Sequence, residues 1–395
     1  MLVLGVETSC DETGLALVRD GRLVCEVLAS QTDMHAVFGG VVPEIASREH
    51  LRMLPLLLQE LLAKAGATTP SLSPTGPGLS LKNIDAIAVA RGPGLLGALL
   101  VGLSFAKGLC LGTGAALIGV NHLHAHLLAP GLEADLNTPA LGLLVSGGHT
   151  HLYHMAASAD GPTRFRLLGR TLDDAAGEAF DKVAKLLNLP YPGGRYLDEL
   201  AQGVEPDTRL FPRAYISNDN LDFSFSGLKT AVAEELGKRP HLTLAAMPTA
   251  DELRTHGVLA LSSHGEELGL IAASFNWAVA ETLRIKVERA LDREPKVLGL
   301  VVAGGVAANS FVRQTMARLA ERRGLALHLP GLALCTDNAA MIAHAGWQAL
   351  RGGYAHGLDL ESVPRGRAVP EDWVCGTGFA AGEKAAVPPA AHHPA

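Results

Sequence analysis

Two histidines one helical turn apart are the first candidates for chemistry in this chain. They lie in Asn121-His122-Leu123-His124-Ala125-His126. If Asn121 caps a short helix, His122 and His126 share one face and can ligate one metal ion, whereas His124 points elsewhere. A bare His-x-x-x-His pair is also common on helix surfaces, so the pair alone leaves both interpretations open. It lacks the glutamate of His-Glu-x-x-His, which disfavours a zinc protease of that kind.

A third metal ligand could come from Cys335-Thr336-Asp337-Asn338. In one interpretation, Thr336 or Asp337 caps the helix that follows. In the other, Asp337 supplies an oxygen ligand, and a His-His-Asp set with open positions would suit iron or zinc. The spacing does not decide between cap and ligand.

Four glycine turns follow apolar runs, and they suggest a nucleotide site. Each lets backbone amides approach a ligand closely, and the first opens into a helix whose N-terminus favours anions. One such loop is usually only a tight turn, but four in alternating strands and helices favour nucleotide binding. None matches the P-loop pattern Gly-x-x-x-x-Gly-Lys-Ser/Thr. The turns are Arg91-Gly92-Pro93-Gly94, Ser146-Gly147-Gly148, Pro192-Gly193-Gly194 and Ala303-Gly304-Gly305-Val306-Ala307-Ala308-Asn309.

Carboxylates in two other turns could hold ribose hydroxyls, a metal-bound water or a transferring proton. Glu7, Asp11 and Glu12 lie in the first polar turn. Asp173 and Asp174 lie before a helical pattern, where capping of the first turn of that helix is the favoured alternative.

The elements that must position these residues alternate between strand and helix. Apolar runs predict strands at residues 2–6, 15–18, 23–28, 84–90, 140–145 and 151–155. Asp20-Gly21 predicts a hairpin turn. Helices are predicted at Pro43–Ala65 and, as a buried helix, at Gly97–Leu111, with an exposed loop at 66–83.

The opening pattern of strand, small polar turn and antiparallel strand recurs in the second half. Residues 2–18 and 140–155 follow the same order, which suggests an internal duplication. The actin, sugar kinase and chaperone ATPase fold uses such a duplicated hairpin around nucleotide phosphates. Generic doubly wound α/β domains remain the alternative at this stage.

Composition narrows the functional classes. The 395 residues carry a net charge of −7, which is unusual for a free-standing nucleic-acid binder. Five scattered cysteines without a Cys-x-x-Cys pair argue for a reduced compartment and against a thiolate zinc site. No apolar stretch resembles a membrane span and no secretion signal is apparent, so we expect a soluble cytoplasmic protein.

Several unusual strings, in order along residues 1 to about 366, resemble the TsaD family of bacterial tRNA N6-adenosine threonylcarbamoyltransferases. These enzymes were once called O-sialoglycoprotein endopeptidases. The strings are Gly5-Val6-Glu7-Thr8-Ser9-Cys10-Asp11-Glu12-Thr13, Gly39-Gly40-Val41-Val42-Pro43-Glu44, Val145-Ser146-Gly147-Gly148-His149-Thr150, Asp173 to Lys182, Tyr191-Pro192-Gly193-Gly194, Asp222 to Thr230, and Cys335-Thr336-Asp337-Asn338.

The resemblance implies a bilobal, duplicated actin-like α/β fold. It also implies transfer of threonylcarbamoyl from threonylcarbamoyl-adenylate (threonylcarbamoyl-AMP) to N6 of adenosine 37, in tRNAs reading codons that begin with adenine. The implied ligands of a divalent metal, Fe(2+) or else Zn(2+), are His122, His126 and Asp337. The implied adenylate contacts are Leu144, Val145, Ser146, Gly147, Gly148, Asp181, Gly194, Asp198 and Asn309.

Further expectations complete this hypothesis. Because an aromatic amine is a poor nucleophile, a base should help, and Asp11 is the first candidate and Glu12 the second. We expect one lobe at 1–121 plus about 337–366, another at 122–336 with an insertion at about 237–268, and a disordered tail at 376–395. The resemblance implies tRNA, a TsaB-like actin-like paralogue and a TsaE-like small P-loop ATPase as partners.

Two other classes of function remain as alternatives. A metal-dependent glycoprotease is suggested by the histidine pair and the family's old name, although no general base is apparent beside the histidines. A sugar-kinase-like ATP-binding protein would fit the glycine turns but leaves the histidines unexplained.

Overall fold

The computed structural model describes residues 1–38, 40–68, 80–158, 161–213, 215–258, 264–372 and 374–375. The chain divides into two compact units, the first comprising residues 1–135, 157–163 and the chain from 337 onward, and the second residues 136–156 and 164–336. Residues 69–79 of the predicted loop and the predicted tail at 376–395 lie outside the described residues.

The six predicted apolar runs all form strands, with ends within three residues of the prediction, and six further strands of the described residues lie outside those runs. They are β1 (Leu2–Glu7), β2 (Glu12–Arg19), β3 (Arg22–Ser30), β4 (Ala86–Gly92), β5 (Ala116–Asn121), β6 (Ala140–Val145), β7 (Thr150–Ala156), β8 (Arg164–Arg170), β9 (Gly299–Ala303), β10 (Ala326–His328), β11 (Tyr354–Ala355) and β12 (Val374–Cys375).

Helices alternate with these strands, and both predicted helices are present. The helices are α1 (Thr32–Ala36), α2 (Pro43–Thr68), α3 (Leu96–Thr113), α4 (His122–Leu128), α5 (Ala176–Leu186), α6 (Gly194–Ala201), α7 (Ser226–Lys238), α8 (Ala250–His256), α9 (Gly265–Arg293), α10 (Ser310–Arg323) and α11 (Ala339–Arg351). Short 3-10 turns include Pro240–Leu242 and Gly305–Ala308.

The first unit is built on a mixed sheet of order β3-β2-β1-β4-β5. β1, β2 and β3 form an antiparallel meander, whereas β4 and β5 run parallel to β1. Every residue of β1 and β4 is buried, as expected for apolar strands covered on both faces. Asp20 and Gly21 both have positive φ, 48° and 81°, so the predicted hairpin turn is confirmed.

The second unit repeats this arrangement. Its sheet has the order β10-β9-β6-β7-β8, in which β6, β7 and β8 are antiparallel and β9 and β10 are parallel to β6. Strand for strand, this is the order of the first sheet. Each unit also has its own apolar core. The duplication predicted from the two hairpins is therefore present, and the fold is actin-like.

The predicted lobe boundary after residue 121 differs from the division in the structure. Residues 122–135 belong to the first unit, because α4 follows β5 directly and packs against α11. All three predicted metal ligands therefore lie in one unit. The predicted insertion at 237–268 belongs to the second unit and contains the turn Pro240–Leu242, α8 and the start of α9.

Helix α3 is less buried than predicted. It packs on β4 and α2, but Leu100 and Leu111 are exposed by 47% and 68%. Among the described helices, α3 is the one whose length and mean hydropathy of 1.6 would permit a membrane span, with 33% of it buried. Because the core helix of a soluble unit passes the same test, this finding is weak evidence for a membrane.

Candidate metal centre and substrate site

His122, His126 and Asp337 meet at one point of the first unit. The side chain of Asn121 accepts hydrogen bonds from the amides of Leu123 and His124, so it caps α4 as the sequence predicted. The Nε2 atoms of His126 and His122 lie 3.0 and 3.5 Å from Oδ1 of Asp337. The candidate ligand atoms of the three residues all lie within 4.8 Å of one another.

The residue that caps α11 is not one of the two predicted. Oδ1 of Asn338 accepts the amide of Met341 at 2.9 Å, so the cap is Asn338 rather than Thr336 or Asp337. The carboxylate of Asp337 lies one residue earlier and faces the histidines. The choice left open by the sequence is thus resolved against capping by Asp337.

Glu7 supports His122 from the side opposite Asp337. Its side chain is fully buried, and Oε2 lies 3.0 Å from Nδ1 of His122. Oε1 accepts the backbone amide of Ser9 at 2.6 Å. A carboxylate at Nδ1 keeps the hydrogen on that nitrogen and leaves Nε2 free to ligate a metal. The position of Glu7 in the first polar turn predicts a chemical role for it but does not predict this pairing.

Asp11 lies in the turn between β1 and β2, and Glu12 is the first residue of β2. Glu12 is hydrogen bonded to Asp11. Burial, followed by the charges of Asp337 and Asp11, raises the pKa of Glu12 to about 9. Glu12 therefore carries a proton near neutral pH and is hydrogen bonded to Asp11 in that form.

The equivalent turn of the second unit carries glycines instead of carboxylates. The amide of Ser146 donates to the carbonyl of His149 at 2.8 Å and closes the turn after Leu144 and Val145. Helix α5 begins directly against it, since a Cβ on Gly177 would lie 2.6 Å from the carbonyl oxygen of Ser146. Gly147 faces open space, with nothing within 4 Å of an added Cβ.

Asp181 joins α5 to the start of α6. Its Oδ1 accepts the amide of Gly193 at 2.8 Å, and the amide of Gly194 also bonds to its side chain. Burial is the main cause that raises the pKa of Asp181 to about 6.

Asp198 and Asn309 meet at the N-terminus of α10. Asp198 accepts both the amide and the hydroxyl of Ser310, at 3.1 and 2.7 Å from Oδ1. Asn309 caps α10 and donates to Oδ1 of Asn276 at 2.6 Å. Contacts of Asp181 with the start of α6 and of Asp198 with the start of α10 thus connect these predicted residues, and α5 also lies against the turn at Ser146.

Asp173 does not cap the helix that follows it, contrary to the favoured expectation. The N-cap of α5 is Ala175, and the first amide of the helix, that of Ala176, donates instead to the hydroxyl of Thr150 at 2.9 Å. Asp173 instead accepts the amide of Phe225 at 2.9 Å and the hydroxyl of Ser226 at 2.7 Å, at the start of α7. Asp174 pairs with Lys182 at 2.7 Å. Both carboxylates hold tertiary contacts that local spacing cannot reveal.

The comparisons with known proteins agree with the motifs. Residues 22–344 match the family model of TsaD, described as tRNA N6-adenosine threonylcarbamoyltransferase. The enzyme of that name from Nitratidesulfovibrio vulgaris (strain DP4) is 60% identical, and the alignment covers 94% of this chain and 98% of the relative. The one from Maridesulfovibrio salexigens is 58% identical, over 95% and 99% of the two chains. The chain belongs to the TsaD family.

The resemblance drawn from the sequence strings is thereby confirmed, and the protein is an enzyme of tRNA modification that forms threonylcarbamoyl-adenosine. Among solved structures, component A of (R)-2-hydroxyglutaryl-CoA dehydratase from Acidaminococcus fermentans covers 89% of this chain and 99% of its own, at 16% identity and a TM-score of 0.47.

TsaD enzymes bind a divalent metal, and the residues around Asp337 fit one. Burial opposes the ionisation of Asp337, but His122 and His126 outweigh it and hold the pKa of Asp337 well below its usual value. Burial likewise opposes a charge on His122, but Glu7 and Asp337 raise its pKa well above the usual value. Two imidazole nitrogens beside several carboxylates form a donor set that suits a dication.

A second histidine cluster lies on the surface of the second unit. The candidate ligand atoms of His241, His264 and Glu267 also lie within 4.8 Å of one another. Glu267 is already paired there, with His241 at 3.0 Å and Arg239 at 3.5 Å. We therefore interpret this cluster as a group of exposed ion pairs and not as a metal site.

Proposed function

We propose that this TsaD enzyme transfers threonylcarbamoyl from threonylcarbamoyl-adenylate to N6 of adenosine 37 in tRNAs that read codons beginning with adenine. The convergence of His122, His126 and Asp337 in the first unit is the observation that carries this proposal. It supports metal-assisted acyl transfer better than phosphoryl transfer by a sugar-kinase-like protein, which has no use for two buried histidines.

The proposed metal is iron(II), with zinc(II) as the alternative, and its ligands are His122, His126 and Asp337. Bound there, it would supply a Lewis acid that holds and polarises the carbonyl of the threonylcarbamoyl group. Glu7 orients His122 for this role through its contact with Nδ1.

The proposed adenylate site uses the second unit. Leu144, Val145 and Ser146 lead into the turn, where the amides of Gly147 and Gly148 line the acyl phosphate and stabilise negative charge as it develops. Asp181 and Asp198 hold the ribose, supported by Gly194 and by Asn309 at the start of α10. The raised pKa of Asp181, about 6, implies that this carboxylate is mostly ionised and able to accept a hydroxyl hydrogen at neutral pH.

Asp11 is the proposed base, and Glu12 holds the neighbouring proton. The N6 amine attacks the carbamoyl carbon, the C–O bond to phosphate breaks, and AMP leaves. The amine gives up one proton, which Asp11 accepts. Burial, followed by the charges of Asp337 and Asp11, keeps the proton on Glu12, which is hydrogen bonded to Asp11.

Partner subunits are proposed from charge and surface. Because a net charge of −7 disfavours contact with the phosphates of tRNA, we expect partner subunits to contribute to tRNA binding. Helices α2 and α3 form an apolar groove, where Leu51 and Leu100 are 67% and 47% exposed. This groove is where we place a TsaB-like actin-like paralogue. A TsaE-like P-loop ATPase completes the proposed complex, which works in the cytoplasm.

The test is reconstitution with these partners, threonine, bicarbonate, ATP, the adenylate-forming enzyme and unmodified tRNA. Nucleoside mass spectrometry should detect threonylcarbamoyl-adenosine, and the product should vanish in the His122→Ala/His126→Ala variant. His124→Ala is the matched control, because this histidine shares α4 but lies outside the ligand set. Its product yield should remain within about twofold of wild type.

Adenylate synthesis without any tRNA product, across several matched partner sets, would overturn the proposal. Metal-dependent cleavage of a glycoprotein by the purified chain would instead support the protease alternative. Phosphoryl transfer to a small hydroxyl substrate would support the kinase-like one.

A further inference from the structure

Three buried polar side chains lie behind the turn that carries Asp11 and Glu12. Gln31, His35 and His50 are exposed by only 4%, 0% and 0%. Nε2 of His35 lies 3.1 Å from Oε1 of Gln31, and Nε2 of Gln31 lies 3.4 Å from Nδ1 of His50. These contacts form a continuous chain of hydrogen bonds from α1 to α2.

His50 connects this chain to the turn itself. Its Nε2 lies 2.9 Å from the carbonyl oxygen of Cys10, and its Nδ1 lies 2.7 Å from Oγ1 of Thr13. A carbonyl oxygen can only accept, so Nε2 of His50 carries the hydrogen. In the neutral ring Nδ1 must then accept, and the hydroxyl of Thr13 donates to it. One tautomer of His50 is thereby fixed.

A backbone amide fixes the other end of the chain in the same way. The N–H of Val42 donates to Nδ1 of His35 at 3.3 Å, so His35 carries its hydrogen on Nε2 and donates it to Oε1 of Gln31. The amide nitrogen of Gln31 then donates to the carbonyl of Ala46 and to Nδ1 of His50. The single lone pair on Nδ1 of His50 is shared, with the hydroxyl of Thr13 at 2.7 Å as the main donor and the amide of Gln31 at 3.4 Å as the weaker one. With that sharing, the network has one self-consistent hydrogen pattern.

The turn is held at three points by this network. In addition to the contacts of His50 with Cys10 and Thr13, the backbone amide of Gln31 donates to the carbonyl of Asp11 at 3.1 Å. The segment between these points is the one that carries the proposed base and its protonated neighbour. Its position is therefore set by groups that do not touch the metal ligands.

We propose that Gln31, His35 and His50 are positioning residues for the transfer reaction, which hold the turn from Cys10 to Thr13 so that Asp11 and Glu12 reach the acceptor amine. This inference rests on the roles proposed above for those two carboxyl groups. A displacement of a reacting group by about 1 Å can cost on the order of a hundredfold in rate, so the network is expected to act on kcat.

Two substitutions of His50 test this proposal, because each retains one of the two hydrogen bonds that His50 makes with the turn. In His50→Gln, the longer side chain places its amide near the position of Nε2 and can still donate to Cys10. In His50→Asn, the shorter side chain reaches the position of Nδ1 and can still accept from Thr13. We expect kcat to fall about 10- to 100-fold in each and further in His50→Ala, with metal content and the KM for tRNA unchanged.

His344→Gln is the matched control. His344 is also a buried histidine of the first unit, 3% exposed, but it bonds to the carbonyl of Gly21 at 3.2 Å, away from the turn. Unchanged kcat in both His50→Gln and His50→Asn would overturn the proposal. An equal fall of kcat in His344→Gln would also overturn it, because general loosening of the unit would then explain the loss.

The product assay and an NMR measurement distinguish failure of the proposed function from failure of this inference. If wild-type enzyme makes no threonylcarbamoyl-adenosine, the proposed function fails. Nitrogen-15 NMR of the histidine rings tests the network without any activity, and the network predicts the Nε2–H tautomer for His35 and His50. A Nδ1–H tautomer at His50 would overturn the inference even in an active enzyme.

Discussion

Replacing Glu7 by glutamine tests most directly whether Glu7 prepares His122 to bind a metal ion. The wild-type carboxylate accepts two hydrogen bonds, from the amide of Ser9 at 2.6 Å and from Nδ1 of His122 at 3.0 Å. Glutamine has one oxygen and one NH₂ group, so it cannot accept both. If the oxygen stays with Ser9, the NH₂ group faces Nδ1 of His122. That nitrogen can accept only after its hydrogen has moved to Nε2.

The expected loss follows from this change of tautomer. A hydrogen on Nε2 blocks the lone pair that would ligate the metal. Removing such a supporting partner typically costs 10- to 100-fold in metal affinity. We therefore expect Glu7→Gln to weaken cobalt(II) binding by that factor, which is about 1.4 to 2.7 kcal/mol.

The assay is competition with a chromophoric chelator, with the visible absorption of bound cobalt(II) as a report on coordination. Glu26→Gln is the matched control, because Oε1 of Glu26 alone accepts the amides of Ala339 and Ala340, at 2.8 and 3.1 Å. A glutamine oxygen can keep both bonds. Unchanged cobalt affinity in a folded Glu7→Gln variant would refute the reasoning, as would an equal loss in Glu26→Gln.

Two further predictions concern the second unit. Gly177→Ala would place a Cβ 2.6 Å from the carbonyl oxygen of Ser146, and the resulting shift should cost about 1–3 kcal/mol and weaken AMP binding at least severalfold in calorimetry. Gly227→Ala, with nothing within 4 Å of its added Cβ, should leave AMP binding unchanged. For Asp181, burial raises the folded-state pKa to about 6 from an ordinary value of about 3.9, so the folded state retains the proton longer and stability falls as pH rises between these values. Urea unfolding at pH 4, 5 and 6.5 should show that Asp181→Asn removes this fall; an unaltered pH dependence would contradict the assignment.

Local sequence was sufficient for six of the twelve described strands, the hairpin turn and the cap of α4. Each depends on neighbouring residues, such as the Asp20-Gly21 pair or the asparagine directly before His122. The cap of α11 was missed because Thr336, Asp337 and Asn338 can all cap a helix, and the first residue of the helix decides among them. The contact of Asp173 with α7 was missed because its partner lies about fifty residues away.

Local sequence also could not predict which residues meet at the candidate site. The His-x-x-x-His spacing indicates one shared face, but Asp337 lies 211 residues beyond His126 and Glu7 lies 115 residues before His122. No periodicity connects positions so far apart. The residues alone left Asp337 as either a cap or a ligand, and the family resemblance favoured the ligand. Only the pairing of strands in the sheet explains why Glu7 lies behind His122.

The two equivalent hairpin turns differ in charge, because the first carries acidic side chains and the second carries none. This difference is relevant to the kinase-like alternative. Glu7 and Asp11, 0% and 6% exposed, belong to the first turn. A phosphate placed there would meet buried negative charge with no compensating lysine or arginine in the turn from Thr8 to Thr13. The second turn, Ser146-Gly147-Gly148, presents no acidic side chain and leaves open space beside Gly147. A divalent cation bound beside the first turn would offset this negative charge, so the ligand types decide between the two functions. The Mg²⁺ of a kinase takes oxygen ligands, whereas the two buried histidines beside the first turn suit a transition metal and so favour the transferase.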